Sequence, residues 1–350
     1  MTPPDSARID DGHAEASPTL PPQQVRISEG HAQASPTLPS HLAGIADGHA
    51  AASQALPPHL ARISDVRALA SLALDWLLIA ACFAFAIVLA HPAAYLVAMV
   101  LIARTQLALA VLMHESAHRT LLRNRRANDV VGQLFAAAPL MLSMFGYRRG
   151  HLCHHRAPMA ADDPVATVFG IGDYPVPKRE LWWRLFKDVT SIGYFLSVRD
   201  FAAGKHAHIM PKARKGDRRG LYALASIVAV NGLMLGVLAA LGHATLYLTL
   251  WLLPALTFLQ LFARIRAITE HAGYPAMDDQ RLNARTVVRR NWQTFFVGPH
   301  RIHHHIEHHE YPQVPFYRLP QVHALMAGRG QLPAANLYRS YLQVLKDVIA

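Results

Sequence analysis

The composition of this 350-residue chain excludes an ordinary soluble domain: 52% of the residues are hydrophobic and only 16% are charged, whereas soluble domains carry about 25% charged residues. A net charge of +11 would suit a nucleic-acid partner, but the basic residues flank apolar runs, as they do in the cytoplasmic loops of membrane proteins. We therefore expect an integral membrane protein that binds no nucleic acid. Its two cysteines, Cys82 and Cys153, do not make a disulfide framework.

The first 65 residues form a tandem repeat. Isoleucines recur at intervals of eighteen residues, and Gly-His and Leu-Pro pairs keep the same register; the isoleucines are Ile9, Ile27, Ile45 and Ile63. The repeats are rich in Pro, Ala and Ser and contain few residues that a core could bury. We predict two regions: a disordered tail of 18-residue repeats over residues 1–65 and a membrane domain over residues 66–350.

Four apolar runs follow, each long enough to form the ~20 residues of helix that cross the ~30 Å hydrocarbon core of a bilayer. They are residues 66–90, 93–113, 221–241 and 244–263. The pattern predicts an all-α integral membrane fold with four transmembrane helices in two hairpins. The tight turns within the hairpins contain no Lys or Arg, whereas the loops on the other side are basic. By the positive-inside rule we expect a multi-pass protein with both termini in the cytoplasm.

Two other segments are predicted to lie in or along the membrane. Residues 129–145 are apolar but too short to cross, which indicates a re-entrant or interfacial helix, and residues 181–201 are amphipathic and carry tryptophans that suit a membrane interface. The first hairpin also contains two charged residues, Asp75 and Arg104, at similar depths. Because an unpaired charge at that depth is costly, we predict that they form an intramembrane ion pair.

Histidines are concentrated in three clusters. The clusters are His114 with His118; His151, His154 and His155; and His305, His308 and His309. In a helix, the spacing i, i+3 and i+4 places the three histidines of a cluster on one face. A further histidine, His271, follows the last apolar run. All of them are expected on the cytoplasmic side, in a helical cap.

Eight or nine imidazoles exceed the four ligands of a structural zinc ion and therefore indicate a two-metal site. Nitrogen donors favour iron, copper, nickel or zinc over magnesium and calcium. A site of this kind beside apolar spans favours oxygen chemistry on a lipid chain, for which iron is well suited.

The three clusters carry a family resemblance. His-Glu-Ser-Ala-His begins at residue 114, His-Leu-Cys-His-His at 151 and His-Ile-Glu-His-His at 305, and the last is followed by Tyr-Pro and by Val-Pro-Phe-Tyr-Arg-Leu-Pro. In order, spacing and position these motifs resemble the histidine boxes of the membrane fatty acid desaturase family, over roughly residues 66–345. Asp162-Asp163-Pro164 and Glu270-His271 also resemble features of that family.

The resemblance implies an oxidoreductase with two non-haem irons and O2 as cosubstrate. Its partners would be a membrane lipid or fatty acyl substrate and a separate electron donor of the ferredoxin, rubredoxin or cytochrome type. The residues that it implies as iron ligands are His114, His118, His151, His154, His155, His271, His305, His308 and His309. Glu115, Glu307 and Asp163 would orient these ligands, and His303 and His304 would lie outside them in supporting positions.

Several alternatives remain open at this point. The same scaffold supports desaturation, hydroxylation, ketolation and oxidative decarboxylation to a terminal alkene; the segment after the third box most resembles the acyl-lipid desaturases, so we expect a C=C bond in an acyl chain. The first box also reads as the H-E-x-x-H of a zinc protease, with Glu115 as general base, but this does not account for the other two clusters. A metal carrier is disfavoured because transporters hold their ligands at the bilayer midplane.

Overall fold

The computed structural model describes residues 55–207, 209 and 212–350. The predicted disorder of the repeat tail concerns residues that lie mostly outside this part of the chain. The described part is mostly helical, as predicted. Its helices are α1 (Asp65–Leu89), α2 (Pro92–His118), α3 (Arg125–Val131), α4 (Met144–Arg156), α5 (Pro164–Phe169), α6 (Lys178–Val189), α7 (Ile192–Ala202), α8 (Arg219–Ala240), α9 (Leu253–Leu256), α10 (Phe258–His271), α11 (Trp292–Val297), α12 (His305–Glu310), α13 (Leu319–Gly328) and α14 (Tyr341–Asp347).

Four helical segments are long and apolar enough to cross a membrane, as the sequence predicts. They are Asp65–Leu89, Pro92–His118, Arg219–Ala240 and Tyr247–His271. The fourth segment combines a π-helical stretch, α9 and α10. The second and fourth segments run further than predicted, so that the first histidine box and His271 lie on the ends of these helices rather than beyond them.

The turn between α1 and α2 is encoded locally. Ala90 ends α1 in the left-handed conformation, and the His91 ring accepts a hydrogen bond from the Ala93 backbone at 3.2 Å, which caps α2. Pro92 stands at the first position of α2, where its missing N–H leaves no bond unmade. The two helices pack through small buried residues, among them Ala86 and Ala98, which let helix backbones approach closely.

The predicted ion pair between Asp75 and Arg104 is confirmed: Nη1 of Arg104 lies 3.6 Å from Oδ1 of Asp75. The sequence did not predict its further partners. Nε2 of His300 lies 2.6 Å from Oδ2 of Asp75, and Nε of Arg104 donates to the Phe295 carbonyl at 3.0 Å. The cluster therefore ties α1 and α2 to the segment that leads into the third histidine box.

A bent helical segment brings the second histidine box against the end of α2. The helices at Arg125–Leu140 and Met144–Arg156 meet at 96°. At Gly132 the backbone passes so close to α2 that an added Cβ would lie 2.0 Å from Oγ of Ser116. Arg148 of α4 donates to the backbone carbonyls of Ser116 and Ala117 at 2.8 and 3.0 Å. These contacts fix the orientation of α4 relative to the first box.

Two short elements complete the described fold near the third box. Strands β1 (Thr286–Val287) and β2 (Leu337–Tyr338) pair in parallel.

The predicted amphipathic stretch forms two helices, α6 and α7, on which Trp182 and Phe195 are each 60% exposed.

Candidate metal centre

The structure brings all nine predicted histidines together. Eight of them fall into two groups of four, and within each group the ligand atoms lie within 4.8 Å of one another. The first group is His114, His118, His151 and His308; the second is His154, His271, His305 and His309. Helices α4 and α12 each contribute to both groups. Side chains three residues apart on one short helix, such as His151 and His154, therefore reach two neighbouring sites.

His155 lies between the two groups. Its Nε2 atom is 3.0 Å from Nε2 of His151 and 3.0 Å from Nε2 of His308, both in the first group. Its ring stacks on that of His309 in the second group, with 4.2 Å between the ring centroids. The nine imidazoles therefore divide into five around one position and four around the other.

The donor atoms approach one another as ligands of a shared ion would. Nε2 atoms are 2.8 Å apart in His118 and His151, 2.9 Å apart in His114 and His308, and 3.1 Å apart in His305 and His309. With metal–nitrogen bonds of about 2.1 Å, two ligands at right angles would stand about 3.0 Å apart. The spacing therefore fits ligands on a common metal.

The protonation of the rings supports the same interpretation. Nδ1 of His271 lies 2.8 Å from the Asn283 carbonyl oxygen, which only accepts, so Nδ1 carries the proton and a neutral ring has a bare lone pair on Nε2. That atom faces Nε2 of His305 at 2.8 Å. Burial and the neighbouring histidines lower the pKa of His305 and His309 well below its usual range, so these rings are neutral. Neutral imidazoles with converging lone pairs suit a metal ion.

Of the three acidic residues predicted to orient ligands, Asp163 contacts one of the nine histidines. Its Oδ2 atom lies 2.8 Å from Nδ1 of His154. Burial raises the pKa of Asp163, but the His154 hydrogen bond and those from the Met159 and Val165 backbones bring the net pKa below its ordinary value. The carboxylate is thus ionised and held in a fixed orientation beside the second group.

The other two acidic residues make different contacts. Glu115 accepts hydrogen bonds from Thr120 Oγ1 at 2.8 Å and from the Phe316 backbone at 3.1 Å. Glu307 accepts from Thr286 Oγ1 at 2.6 Å and contacts His323. Within the described residues, neither side chain forms a hydrogen bond with a ring nitrogen of the nine histidines. His303, which was predicted to lie in a supporting position, donates from Nδ1 to the Val287 carbonyl at 2.9 Å.

Several contacts to the histidines were missed from the sequence. Glu270 Oε1 lies 3.4 Å from Nδ1 of His305 and is paired with Arg266 at 2.6 Å. Tyr147 Oη lies 3.1 Å from Nδ1 of His114. The pairing of Arg266 with Glu270 could have been predicted from the sequence. The two residues are four apart on a helix that ends in His271, and side chains at that spacing face each other. Backbone partners such as the Asn283 carbonyl leave no such signal.

An apolar groove lies along α10, the helix that ends in His271. It has a volume of about 280 Å³ and is lined by Val100, Phe262, Ile265, Trp292, Gln293, Phe296, Val297, Tyr341, Leu342 and Leu345. Burial and then the nearby charge of Glu270 raise the pKa of Tyr341. Tyr341 therefore lies both on the groove wall and within electrostatic reach of Glu270, which contacts His305.

The helical fold and the paired histidine groups define a class of membrane-bound, metal-dependent oxidoreductases, and comparison with known sequences agrees. The model of the fatty acid desaturase family matches residues 90–342, so the chain belongs to that family. A curated relative is the dihydrorhizobitoxine desaturase of Bradyrhizobium elkanii, which is 29% identical in an alignment of 265 positions that covers 71% of each chain.

Proposed function

We propose that this protein is an O2-dependent di-iron desaturase that introduces a C=C bond into a fatty acyl chain. The observation that carries the proposal is the pair of adjacent all-histidine groups, together with an apolar groove along α10, the helix that carries His271. Nitrogen donors suit iron, and a groove lined by Phe, Ile, Leu and Val suits an aliphatic chain. The balanced reaction consumes O2, two electrons and two protons, removes one hydrogen from each of two neighbouring carbons and yields two waters.

The nine histidines would hold the two irons: His114, His118, His151, His155 and His308 around one, and His154, His271, His305 and His309 around the other. A reduced iron pair supplies the O2 activation needed to remove hydrogens from unactivated C–H bonds. Asp163 and the Asn283 carbonyl keep Nδ1 of His154 and His271 protonated and their Nε2 lone pairs aimed inward. Such partners raise ligand basicity and fix ring orientation.

Glu270 and Tyr341 are proposed to separate the substrate groove from the ligands. Glu270 faces Nδ1 of His305 and is held by Arg266, so its charge stabilises that ring in one orientation. The apolar side chains of the groove exclude water around the chain that is to be oxidised. Exclusion of water protects the reacting carbon from competing reactions.

We further propose two transmembrane hairpins, a re-entrant or interfacial segment over residues 129–145, and a cytoplasmic cap that carries the histidine boxes. The distribution of basic residues among the loops supports this topology. The loop between α2 and α3 contains Arg119 and Arg123, whereas the turns at 91–92 and 242–243 contain no Lys or Arg, and excess positive charge marks the cytoplasmic side. Both termini would then be cytoplasmic, with the repeats forming a tail whose last residues pack on the membrane domain, since Leu60 is buried in one cluster with Ile306 and Val314.

Electrons would come from a separate protein of the ferredoxin, rubredoxin or cytochrome type. The basic loops on the proposed cytoplasmic side would attract an acidic donor and accelerate its encounter. This steering would weaken at high ionic strength because salt screens exposed charges.

A second candidate is desaturation of a substrate that carries a carboxylate. A relative is named for its action on dihydrorhizobitoxine. In this chain Arg266 pairs with Glu270 through Nε, and among the described residues its Nη groups have no hydrogen-bond partner. A guanidinium edge of this kind binds carboxylates in bidentate fashion.

The test is product profiling by mass spectrometry in a host with and without the gene, with a His154→Ala variant as the inactive control. New unsaturated acyl chains in the lipid fraction support the first proposal. A new unsaturated soluble acid supports the second. A hydroxylated acyl chain, or an alkene one carbon shorter than the host's fatty acids, would replace desaturation by hydroxylation or decarboxylation.

A further inference from the structure

A third group of metal-binding side chains lies outside the two histidine groups. His304, Glu307 and His323 each offer one donor atom, and these three atoms lie within 4.8 Å of one another. His304 directly precedes α12, Glu307 lies in the first turn of α12, and His323 comes from α13. In the described part of the chain, their side chains form no hydrogen bond with any of the nine histidines, so the group is separate from the proposed iron site.

His304 is the member of this group that lacks a partner. The residue is only 6% exposed, and its Nδ1 atom lies 3.7 Å from Oε1 of Glu307, which is too far for a hydrogen bond. The atom is buried without a hydrogen-bond partner in the described structure. Leaving a buried polar atom unsatisfied destabilises the folded state, and a coordinated ion would remove that cost.

Glu307 is held so that one oxygen faces the two rings. Oε2 accepts a hydrogen bond from Thr286 Oγ1 at 2.6 Å, which fixes the carboxylate plane. Oε1 is then directed at His304 and at His323, whose ring nitrogen it contacts. Contacts of the Thr286 kind orient carboxylate ligands in metal sites.

The donor set suits a zinc ion. Two imidazoles and one carboxylate are a common three-ligand set for zinc, with water in the fourth position. The side chains of His304 and Glu307 are almost fully buried, whereas that of His323 is 24% exposed. The exposed side at His323 leaves room for the water ligand and for entry of the ion.

We propose that His304, Glu307 and His323 bind a third metal ion, Zn²⁺, which fastens α12 to α13. Helix α12 has only six residues, and an isolated helix of that length is unstable in water. It is held on one side by Ile306, which packs with Leu319 and Val322 of α13. The zinc ion would add a bond between the same two helices.

The metal content of the purified full-length protein tests this proposal. The wild-type protein is expected to contain one zinc in addition to its iron, and His304→Asn and His323→Asn are expected to lose that one zinc while the iron content stays the same. His303→Asn is the matched control, because its ring lies beside that of His304 but donates to the Val287 carbonyl. Wild-type protein without zinc, or zinc that survives both substitutions, would overturn the proposal.

A second variant covers the case in which loss of a ligand prevents folding. Thr286→Val keeps all three ligands but releases Oε2 of Glu307, and zinc affinity is expected to fall about 10–100-fold, as measured by competition with a zinc-binding dye. An affinity equal to that of the wild-type protein would contradict the proposal. Iron is counted separately, so an absence of iron would reject the di-iron function without bearing on this zinc site.

Discussion

Nε2 of His155 lies 3.0 Å from Nε2 of His308, although 153 residues separate the two along the chain. His155 also reaches the second group, because its ring stacks on His309. His155, the last residue of the second box, therefore contacts one third-box histidine of each group: His308 in the first and His309 in the second. This contact requires α4 and α12 to pack with their histidine faces toward each other, as the proposed iron pair needs.

Replacing His155 with Ala is expected to lower the iron content by at least one ion per chain and to abolish product formation. The reason is that the first iron would lose a ligand whose ring also packs against the second group. Iron analysis of the purified protein and lipid profiling provide the measurement. Cys153→Ala is the matched control, since this residue lies in the same helix but contributes to neither histidine group. Full iron content in His155→Ala would contradict the assignment.

Asp163→Asn tests the contact with His154. The amide keeps the size of the side chain but removes the charge that stabilises the proton on Nδ1. Loss of such a partner typically costs 10–100-fold in metal affinity or activity, and we expect a decrease of about that size in both. The exposed neighbour Asp162, changed to Asn, should leave both unchanged. Equal losses in the two variants would point to a nonspecific charge effect instead.

The structural features that could be predicted from the sequence are those that depend on composition and residue spacing. The sequence located four apolar spans, paired Asp75 with Arg104 from their depth, and selected nine histidines from three motifs and His271. It did not predict that His300 would complete the Asp75 cluster, because nothing in the local pattern relates residues 225 positions apart. Such contacts arise only when the helices pack.

The surroundings of the third box show the same limit. Glu307 is one of the residues that resemblance implied as an orienting group for the ligands, yet its side chain faces Thr286 and His323. The reason is helical geometry. His305, His308 and His309 share one face of α12, and Glu307 points to another. Glu270, which does lie beside His305, was visible in the sequence only as the neighbour of His271.

Gly132→Ala is expected to destabilise the protein. The new methyl group would lie 2.0 Å from Oγ and 2.4 Å from Cβ of Ser116, so the bent segment must move away from α2. Overpacking of this kind costs about 1–3 kcal/mol. Thermal unfolding in detergent provides the measurement, and Gly236→Ala in α8 serves as the control because a Cβ there meets no atom within 4 Å. Equal unfolding temperatures for Gly132→Ala and the wild-type protein would contradict the close approach.

The Asp75–Arg104 pair can be tested with a double-mutant cycle. Asp75→Asn or Arg104→Met alone leaves one charge uncompensated in a buried site, which costs about 3–5 kcal/mol. The double variant removes both charges and is expected to unfold at a higher temperature than either single variant. His300 contacts Asp75 as well, so a small residual loss is expected in the double variant. Additive losses would show that the two side chains do not interact.

Glu115→Gln separates the desaturase from a zinc protease. In a protease built on residues 114–118, Glu115 would be the general base, and its replacement would abolish activity. In this structure Glu115 accepts from Thr120 and from the Phe316 backbone, both through Oε2, and a Gln oxygen can accept the same bonds. We therefore expect Glu115→Gln to retain iron and measurable desaturation in the lipid profile. Complete loss of product with one zinc and no iron per chain would favour the protease.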